Sequence, residues 1–263
     1  MDAAPTNAGR TARDRARAEL TREIKDEARR QLAVDGADGL SLRAVARELG
    51  MVSSALYRYF PSRDDLLTAL IIDAYESLAA TVTSADPGPT TEPRERWRLT
   101  CSEVRNWALA NRHEYALIYG SPIPGYQAPQ ATIAPASAVP LLLVGVLTDG
   151  WRAGALTPQE ETGPLSTELA AQVEALGVLI APELPPHVLA RALLAWTQLF
   201  GVISFELFGQ LVGSVDPSGY FFDYAVDQMA DYVGLRVHNR GRAQNRAPEV
   251  AIIGKNTQNP GAS

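Results

Sequence analysis

The stretch Ser41–Asp65, SLRAVARELGMVSSALYRYFPSRDD, decides the fold of the first part of the chain. Four apolar residues in its first half recur with the i, i+3, i+4, i+7 spacing of one helix face: Leu42, Val45, Ala46 and Leu49. This spacing predicts a short amphipathic helix. Gly50 follows at the point where a chain leaving a helix adopts a left-handed φ, which glycine accepts at little cost. A second helix is predicted from about Val52 to Tyr59.

The predicted second helix has two different faces. Leu56 and Phe60 fall on the side that packs inward. The opposite side is polar and cationic, and it carries Ser53, Ser54, Tyr57 and Arg58. A helix, a short glycine turn and a second helix with such a face follow the plan of a helix-turn-helix, whose second helix lies in the major groove of DNA.

A resemblance to a known family rests on Gly50–Phe60, GMVSSALYRYF, which is followed by Pro61-Ser62-Arg63 and Leu66-Leu67. These residues resemble the signature of the tetracycline-repressor (TetR) family. That signature reads Gly-Val-Ser-x-x-x-Leu-Tyr-x-His/Tyr-Phe, then a short Pro-Ser-Lys/Arg link and a paired leucine. The resemblance covers about residues 20–70. It departs at one position, where Val52 replaces the hydroxyl residue usually found near the start of the recognition helix.

The resemblance implies an all-α transcriptional regulator that binds double-stranded DNA as a homodimer. It implies an N-terminal three-helix helix-turn-helix domain and a larger helical domain for effector binding and dimerisation. We expect a repressor that a small apolar effector releases from a palindromic operator, with half-sites about 34–36 Å or a multiple of this apart. Two alternatives stay open: an architectural DNA-binding protein without an effector, and an activator built from the same parts.

Seven residues are candidates for contact with DNA: Ser41, Arg43, Ser53, Ser54, Tyr57, Arg58 and Arg63. Tyr57 resembles the family's backbone-contacting tyrosine, and Arg63 resembles its phosphate-contacting base after the turn. Arg58 suits a guanine edge or a phosphate, and the two serines suit either role. Ser41 is a good N-cap at a helix end that can meet a phosphate, the alternative being a cap with no role in DNA binding. For Arg43 the alternative is an ordinary solvated helix face.

The acidic balance of the chain is unevenly distributed. The net charge is −6, yet residues 1–65 hold 12 Lys and Arg against 11 Asp and Glu, while residues 66–263 hold 12 against 19. The acidic excess lies in residues 66–263, the part that need not touch DNA. Because association with phosphate follows the local electrostatic field, the negative net charge does not count against DNA binding. A length of 263 residues with 46% apolar residues predicts one small and one larger globular domain.

Several other classes of protein are not indicated. The single Cys101 excludes an internal disulfide framework, and the three histidines are far apart in the sequence. Catalytic and nucleotide-binding motifs are absent as well, so we expect no metal site, no cofactor and no enzyme activity. The sequence shows neither an apolar signal region nor an apolar run of about 18 residues, which predicts a cytoplasmic protein without a membrane partner.

Four segments are predicted along the chain. Residues 1–13 form a disordered arm with several arginines, 14–65 the helix-turn-helix domain, 66–237 the helical effector and dimerisation domain, and 238–263 a disordered tail. The first helix is expected from Asp14 to Val34. Apolar periodicity predicts further helices at the following approximate positions: from the Pro61–Asp65 link to Ser84, Arg94–Asn111, His113–Gly120, from Pro140 to Trp151, Leu165–Ile180, and two more within Leu189–Val233.

The segment Leu189–Val233 is the predicted dimer seam. Its first helix is apolar on nearly all sides, so it must be covered on all sides, most simply by a symmetry mate. The spacing Trp196…Gly201…Glu206 resembles the C-terminal domain of one TetR subgroup.

An effector cavity is predicted in the middle of the larger domain, where the family resemblance places the effector site. Six residues are its candidate lining: Tyr115, Tyr119, Leu142, Trp151, Trp196 and Phe200. None of the six is charged, which favours an uncharged or weakly polar, ring-bearing effector. The alternative is that these residues only pack the core.

Overall fold

A computed structural model describes residues 8–157 and 164–235, and these residues form an all-α protein, as expected. The helices are α1 Ala8–Asp35, α2 Leu42–Glu48, α3 Ser53–Leu56, α4 Arg63–Ala85, α5 Pro93–Ala110, α6 Arg112–Tyr119, α7 Ile133–Arg152, α8 Thr167–Ile180, α9 Pro186–Leu207 and α10 Gly219–Tyr232. A 3-10 helix, Gln130–Thr132, precedes α7. Within the described ranges, β pairing is limited to one isolated bridge between Leu156 and Leu235.

Two hydrophobic cores divide the molecule, and α4 contributes to both. The first core joins α1, α2, α3 and the start of α4, and we call this part the head (residues 8–65). The second joins α5–α10 to the rest of α4, and we call this part the body (residues 66–235). Leu66, Leu67 and Leu70 of α4 lie in the head core, whereas Ala74 and Leu78 lie in the body core. One rigid helix therefore connects the packing of the two parts.

The head has the predicted caps and turn. The Ser41 hydroxyl accepts a hydrogen bond from the Ala44 N–H at 3.5 Å, and Gly50 has φ +64°. Ser62 accepts from the Asp65 N–H at 3.1 Å and donates to the Asp65 carboxylate at 2.7 Å, which caps α4. The recognition helix is shorter than predicted. Its α-helical part is the single turn α3, and Val52 precedes it without a side-chain cap.

Two helices begin earlier than the sequence predicts. Helix α1 starts at Ala8, so residues 8–13 of the predicted arm are helical. The alanines and arginines of this segment favour helix strongly, which outweighs the polar composition. Helix α7 starts at Ile133 and continues through Pro140, because a proline inside a helix removes one backbone hydrogen bond and a packed helix can tolerate that loss. Residues 1–7 and the predicted tail, 238–263, lie outside the described residues.

The body is tied together by buried arginines at the start of α5. Arg94 pairs with Asp231 at 2.5 Å and also donates to the Leu235 carbonyl at 2.8 Å. Arg96 bridges Asp86 and Asp149, each at 2.8 Å. The hydrogen bonds from Arg96 lower the pKa of the Asp86 carboxyl. These pairs join α5 to its neighbours, and removal of one partner would leave a buried charge uncompensated.

Three helices are long and apolar enough to cross a membrane by length and composition: Arg63–Ala85, Gln130–Arg152 and Pro186–Leu207. The expectation that the chain lacks such a stretch is therefore corrected. All three carry residues of the body core.

Candidate nucleic-acid interface and ligand cavity

The recognition turn, which we define as α3 and the turn after it (residues 53–59), and the outer face of α2 expose the side chains that the sequence placed outward. Tyr57 is 42% exposed, and Arg58, Ser54 and Arg43 are exposed as well, whereas Ser53 is half-buried. Beneath them lie the buried side chains of Leu56 and Phe60. Core packing of these two residues holds the single turn of α3 in place, because a helix this short is not stable by itself.

Val52 stands out among the exposed residues of the head. Its side chain is 70% exposed although it is apolar and precedes the recognition turn directly. An apolar group in a DNA-reading surface can contact the methyl group of thymine. The sequence already showed the departure from the family pattern at this position, but not how far the side chain is exposed.

Two of the seven candidate DNA contacts are also engaged inside the head. Ser41 caps α2. Arg63 donates from Nε to the Leu40 carbonyl at 3.2 Å and from Nη2 to the Ala37 carbonyl at 2.6 Å. The guanidinium therefore braces the loop between α1 and α2. Phosphate contact by these residues stays a prediction.

Arg17, which the sequence placed in the first helix, is a further candidate for contact with DNA. Its guanidinium carbon lies 5.1 Å from the centre of the Tyr59 ring, a cation–π contact. The start of α1 is thereby placed beside the recognition turn. The signal was present in the sequence, since Arg10, Arg13 and Arg17 recur at the three- and four-residue spacing of one helix face.

The head and the body are joined by ion pairs around Arg29 of α1. Its Nη2 lies 2.7 Å from Asp73 of α4, and its Nε lies 2.9 Å from Glu114 of α6. Lys25 also pairs with Asp73 at 2.7 Å. All of these side chains are partly buried, so solvent screens the pairs less than it would on an open surface.

A cavity of about 820 Å³ lies in the body between α4, α6, α7, α8, α9 and the loop after α6. Its lining comprises Ile71, Tyr75, Leu117–Ile123, Tyr126, Ala128, Thr132, Ile133, Ala136, Ser137, Pro140, Leu141, Leu143, Val144, Leu176, Ile180, Ala192, Leu193 and Trp196. This set contains no charged residue. A cavity of this size can enclose most of a small organic molecule.

Of the six predicted lining residues, the structure brings Tyr119 and Trp196 to the wall of this cavity. Tyr115 is instead fully buried, and its hydroxyl lies 3.0 Å from the Phe200 carbonyl and 2.8 Å from the Ser204 hydroxyl. Phe200 lies behind Tyr119, with the ring centres 4.2 Å apart. Tyr115 and Phe200 thus support the wall from behind.

The other two predicted residues belong to α7 and are also corrected. Leu141 and Leu143 line the cavity, whereas Leu142 packs against the body core. Successive residues of a helix point about 100° apart, so neighbours in the sequence face different sides. Trp151 lies at the far end of α7, about three turns from Pro140, and packs against the core there.

The sequence reading missed two tyrosines of the lining. Tyr75 of α4 donates from its hydroxyl to the Ile118 carbonyl at 3.3 Å. Tyr126 shares a hydrogen bond of 2.9 Å with Thr68. An aromatic residue inside the Pro- and Gly-containing loop after α6 was the available signal for Tyr126. Tyr75 looked like one more residue of the apolar stripe of α4, so its role could not be read from spacing.

Burial changes the acidity of the phenols around the cavity. It raises the pKa of the Tyr115 hydroxyl to about 12. Burial also raises the pKa of Tyr119 far above its ordinary value, and the nearby Tyr75 and Tyr115 hydroxyls raise it further. Both groups remain neutral hydrogen-bond donors at physiological pH.

Comparison with known proteins gives these two regions a family. Residues 24–70 match the family model described as "Bacterial regulatory proteins, tetR family", and residues 97–229 match "Tetracyclin repressor-like, C-terminal domain". The chain belongs to the TetR family. It is a DNA-binding transcriptional regulator with the helix-turn-helix head and helical body that the sequence predicted.

Similar proteins and solved structures cover most of the chain. The HTH-type transcriptional regulator Rv1816 of Mycobacterium tuberculosis is 40% identical in an alignment of 217 residues that covers 79% of this chain and 89% of that protein. The crystal structure of SCO4313 has a TM-score of 0.70 at 33% identity and covers 83% of this chain and 98% of that one. A protein from Rhodococcus sp. RHA1 has a TM-score of 0.59 at 26% identity, with 81% and 93% covered.

The two TetR family models leave most of α4 between them. The head model ends at residue 70 and the C-terminal model begins at residue 97. Ile71 and Tyr75, which line the cavity, lie in that interval. The last two thirds of α4 therefore lie outside both family models.

Proposed function

We propose that this TetR-family regulator is a homodimeric repressor that a small, uncharged, apolar effector releases from its operator. The observation that carries the proposal is the double role of α4. Its residues Ile71 and Tyr75 line the cavity, and Leu66, Leu67 and Leu70 just before them pack in the head core. A change of the cavity wall therefore reaches the head through one continuous helix.

Helix α6 supplies a second connection between cavity and head. Leu117, Ile118 and Tyr119 line the cavity, while Glu114, one turn earlier on the same helix, pairs with Arg29 of the head. An effector that fits better when the cavity-lining side chains of α4 and α6 move apart would shift both helices. Release requires that the effector bind the DNA-incompatible state more tightly than the other. To reverse a 99:1 occupancy, the difference in affinity must be about 10⁴-fold.

The proposed dimer seam lies on α8 and α9. Val178 and Leu179 at the end of α8 are 70% and 80% exposed, and Leu194 and Phe205 of α9 are exposed as well. Gly201 lies between the last two on α9, and a Cβ there would meet nothing within 4 Å. Exposed apolar faces of this kind mark interfaces, and the simplest self-complementary partner is a second copy.

The proposed seam differs in one helix from the segment predicted from the sequence. The apolar stripe of α10, formed by Phe222, Val226, Met229 and Val233, is buried inside its own chain. This stripe packs in the body core, so it needs no symmetry mate. We therefore place α8 beside α9 in the seam and α10 outside it.

The proposed operator contacts use the exposed side chains of the head. Tyr57 and Arg43 would bind phosphates, and Arg58 would read a base edge in the major groove. Val52 would contact a thymine methyl group. With two heads per dimer, the operator is a near-palindrome whose half-sites lie one helical turn or a multiple apart.

The experiment that tests this function starts from the bound promoter. Genomic fragments captured by the purified protein would be reduced to a minimal operator, and binding would be measured against a scrambled duplex of equal length. We expect a preference for the operator of at least about 10³-fold and repression of the promoter in the cytoplasm. Equal affinity for both duplexes would favour the architectural alternative, and activation of the promoter would favour the activator.

A further inference from the structure

The cavity has a polarity pattern that selects one class of ligand, on the condition that it is the effector site proposed above. We infer that the effector is a neutral molecule whose apolar body fills the cavity and whose polar group is a hydrogen-bond acceptor, such as a carbonyl oxygen, received by the Tyr119 hydroxyl. The inference rests on which polar groups of the wall are already bonded and which are not.

The absence of charge along the lining excludes ionic effectors. None of the side chains that line the cavity is charged. A carboxylate or an ammonium group inside would lose its hydration and gain no counter-ion from the wall. The effector must therefore be neutral in the part that the cavity encloses.

Most hydroxyl groups of the wall are already bonded within the protein. Tyr75 donates to the Ile118 carbonyl, and Tyr126 shares a hydrogen bond with Thr68. The Thr132 hydroxyl donates to the Pro129 carbonyl at 2.8 Å, and the Ser137 hydroxyl donates to the Ile133 carbonyl at 2.8 Å. The donor hydrogens of Tyr75, Thr132 and Ser137 are thus engaged, and the Tyr126 hydroxyl is held by Thr68.

Tyr119 differs from Tyr75 and Tyr126, the other tyrosines of the wall. Among the described residues none hydrogen-bonds its hydroxyl, although its ring is packed against Phe200, with centres 4.2 Å apart, and against Tyr115, with centres 5.2 Å apart. The ring is thus held in place while the hydroxyl remains available. Because burial keeps the pKa of this phenol high, the group stays protonated and can donate a hydrogen bond. The Ser121 hydroxyl also has no hydrogen-bond partner among the described residues, but Ser121 is exposed to solvent.

Trp196 adds a second donor to the same wall. Its ring centre lies 6.3 Å from that of Phe200, which also contacts Tyr119. The indole Nε1–H is buried and has no hydrogen-bond partner in the described part of the chain. A carbonyl oxygen has two lone pairs, so an acceptor held by Tyr119 can also attract this N–H if the indole turns toward it.

Four molecules of similar size with ten carbon atoms test the inference: butyrophenone, butylbenzene, 4-phenylbutyrate and 4-phenylbutylammonium. Their affinities for the full-length protein without DNA are measured by calorimetry or tryptophan fluorescence. The wild-type protein should bind the ketone about fivefold to tenfold more tightly than the hydrocarbon, as one net hydrogen bond allows. It should bind both ions more weakly than the hydrocarbon.

Two matched variants locate the effect. Tyr119→Phe removes only the available hydroxyl and should bring the affinity for butyrophenone down to that for butylbenzene. Tyr126→Phe removes a hydroxyl of the same wall that Thr68 already engages, and it should leave the ratio of the two affinities unchanged. Circular dichroism and thermal unfolding establish that both variants fold.

The inference is overturned if ketone and hydrocarbon bind wild-type protein equally, if Tyr119→Phe keeps the preference, if an ion binds best, or if no member of the series binds. These outcomes are independent of operator binding measured on the same preparation. Specific operator binding alongside any of them would leave the regulator function standing and remove only the ligand class. If the protein prefers the ketone as predicted but does not bind an operator, the ligand class would stand and the regulator function would be removed.

Discussion

The head and the body carry function in opposite ways. The head displays its functional side chains on the outside of α2, α3 and the turn after α3, and these residues lie within Ser41–Arg63 of the sequence. The body encloses its functional surface between five helices, and residues that meet there, such as Tyr75 and Trp196, are far apart in the chain. An outward-facing surface depends on local structure, whereas a cavity depends on the packing of the whole domain.

The two regions are nevertheless not independent, because α4 belongs to both cores and Arg29 binds α4 and α6 at once. Regulation is therefore expected to depend on the residues that connect the two regions. Changes at the recognition turn should alter DNA binding alone, changes at the cavity should alter ligand binding, and only changes at α4, α6 or Arg29 should alter how the two depend on each other.

The largest effect is expected at the proposed seam, which would place dimerisation entirely in the body. Phe205→Glu puts a charge into an apolar interface without a counter-ion and should cost about 3–5 kcal/mol of association free energy. Light scattering should show monomers, and operator affinity should fall with dimerisation.

Tyr224→Glu on α10 is the matched control for the seam, because Phe205 and Tyr224 are 56% and 60% exposed. This variant should remain a dimer with unchanged operator affinity. A dimer in the first variant together with monomers in the second would remove the face of α9 around Phe205 from the seam and place the seam on α10, within the segment that the sequence predicted.

The next largest effect distinguishes base recognition from phosphate contact within the head. Arg58→Ala should relax discrimination at one base position by about 1–3 kcal/mol, since a bidentate base contact is lost. Tyr57→Phe should weaken binding to operator and scrambled duplex alike, since a phosphate contact carries no sequence information. Binding curves on both duplexes decide, and unchanged affinity in both variants would remove these residues from the interface.

A smaller effect is expected at the joint between the regions. Arg29→Ala removes the ion pairs from the head to Asp73 and Glu114. It should change the coupling free energy, which is the difference in operator-binding free energy with and without effector, by about 0.5–2 kcal/mol. The affinity of the operator-free protein for the effector should stay the same. Arg22→Ala, whose partner Glu19 lies on the same helix, is the control and should leave the coupling free energy intact. A coupling free energy unaffected by both variants would mean that coupling runs through α4 packing alone.

The smallest effect is expected from the contact proposed between Val52 and a thymine methyl group. If Val52 contacts a thymine methyl, replacing that thymine by uracil should weaken binding by about 0.8 kcal/mol, roughly fourfold. In Val52→Ala the same replacement should cost much less. A scan of each thymine in the half-site measures this, and additive losses at every position would exclude the contact.

The head could be predicted from its sequence because its determinants are local. The apolar stripe of α2, Gly50 and the Ser62 cap lie within about 20 residues, and each acts through neighbours in the chain. The length of α3 was the exception. Its second turn is replaced by non-helical turns that still keep Tyr57 and Arg58 exposed.

The cavity could be predicted only in part, because equal spacing does not mean an equal environment. Tyr115 and Tyr119 lie four residues apart on one face of α6, yet the first is engaged by Ser204 and the second lines the cavity. What decides between them is the position of α9, which lies about 80 residues away in the sequence. The same holds for Leu142, which the rotation of α7 turns away from its lining neighbours.

The central claim is that the cavity and the recognition turn are energetically coupled. The most direct measurement determines the affinity of the dimer for its operator with and without a saturating uncharged ligand, and the affinity of that ligand with and without saturating operator. We expect the ligand to weaken operator binding at least tenfold and the operator to weaken ligand binding by the same factor, as linkage requires. A ligand that occupies the cavity, as judged by its loss of affinity in Trp196→Ala, while operator affinity stays unchanged would contradict the claim.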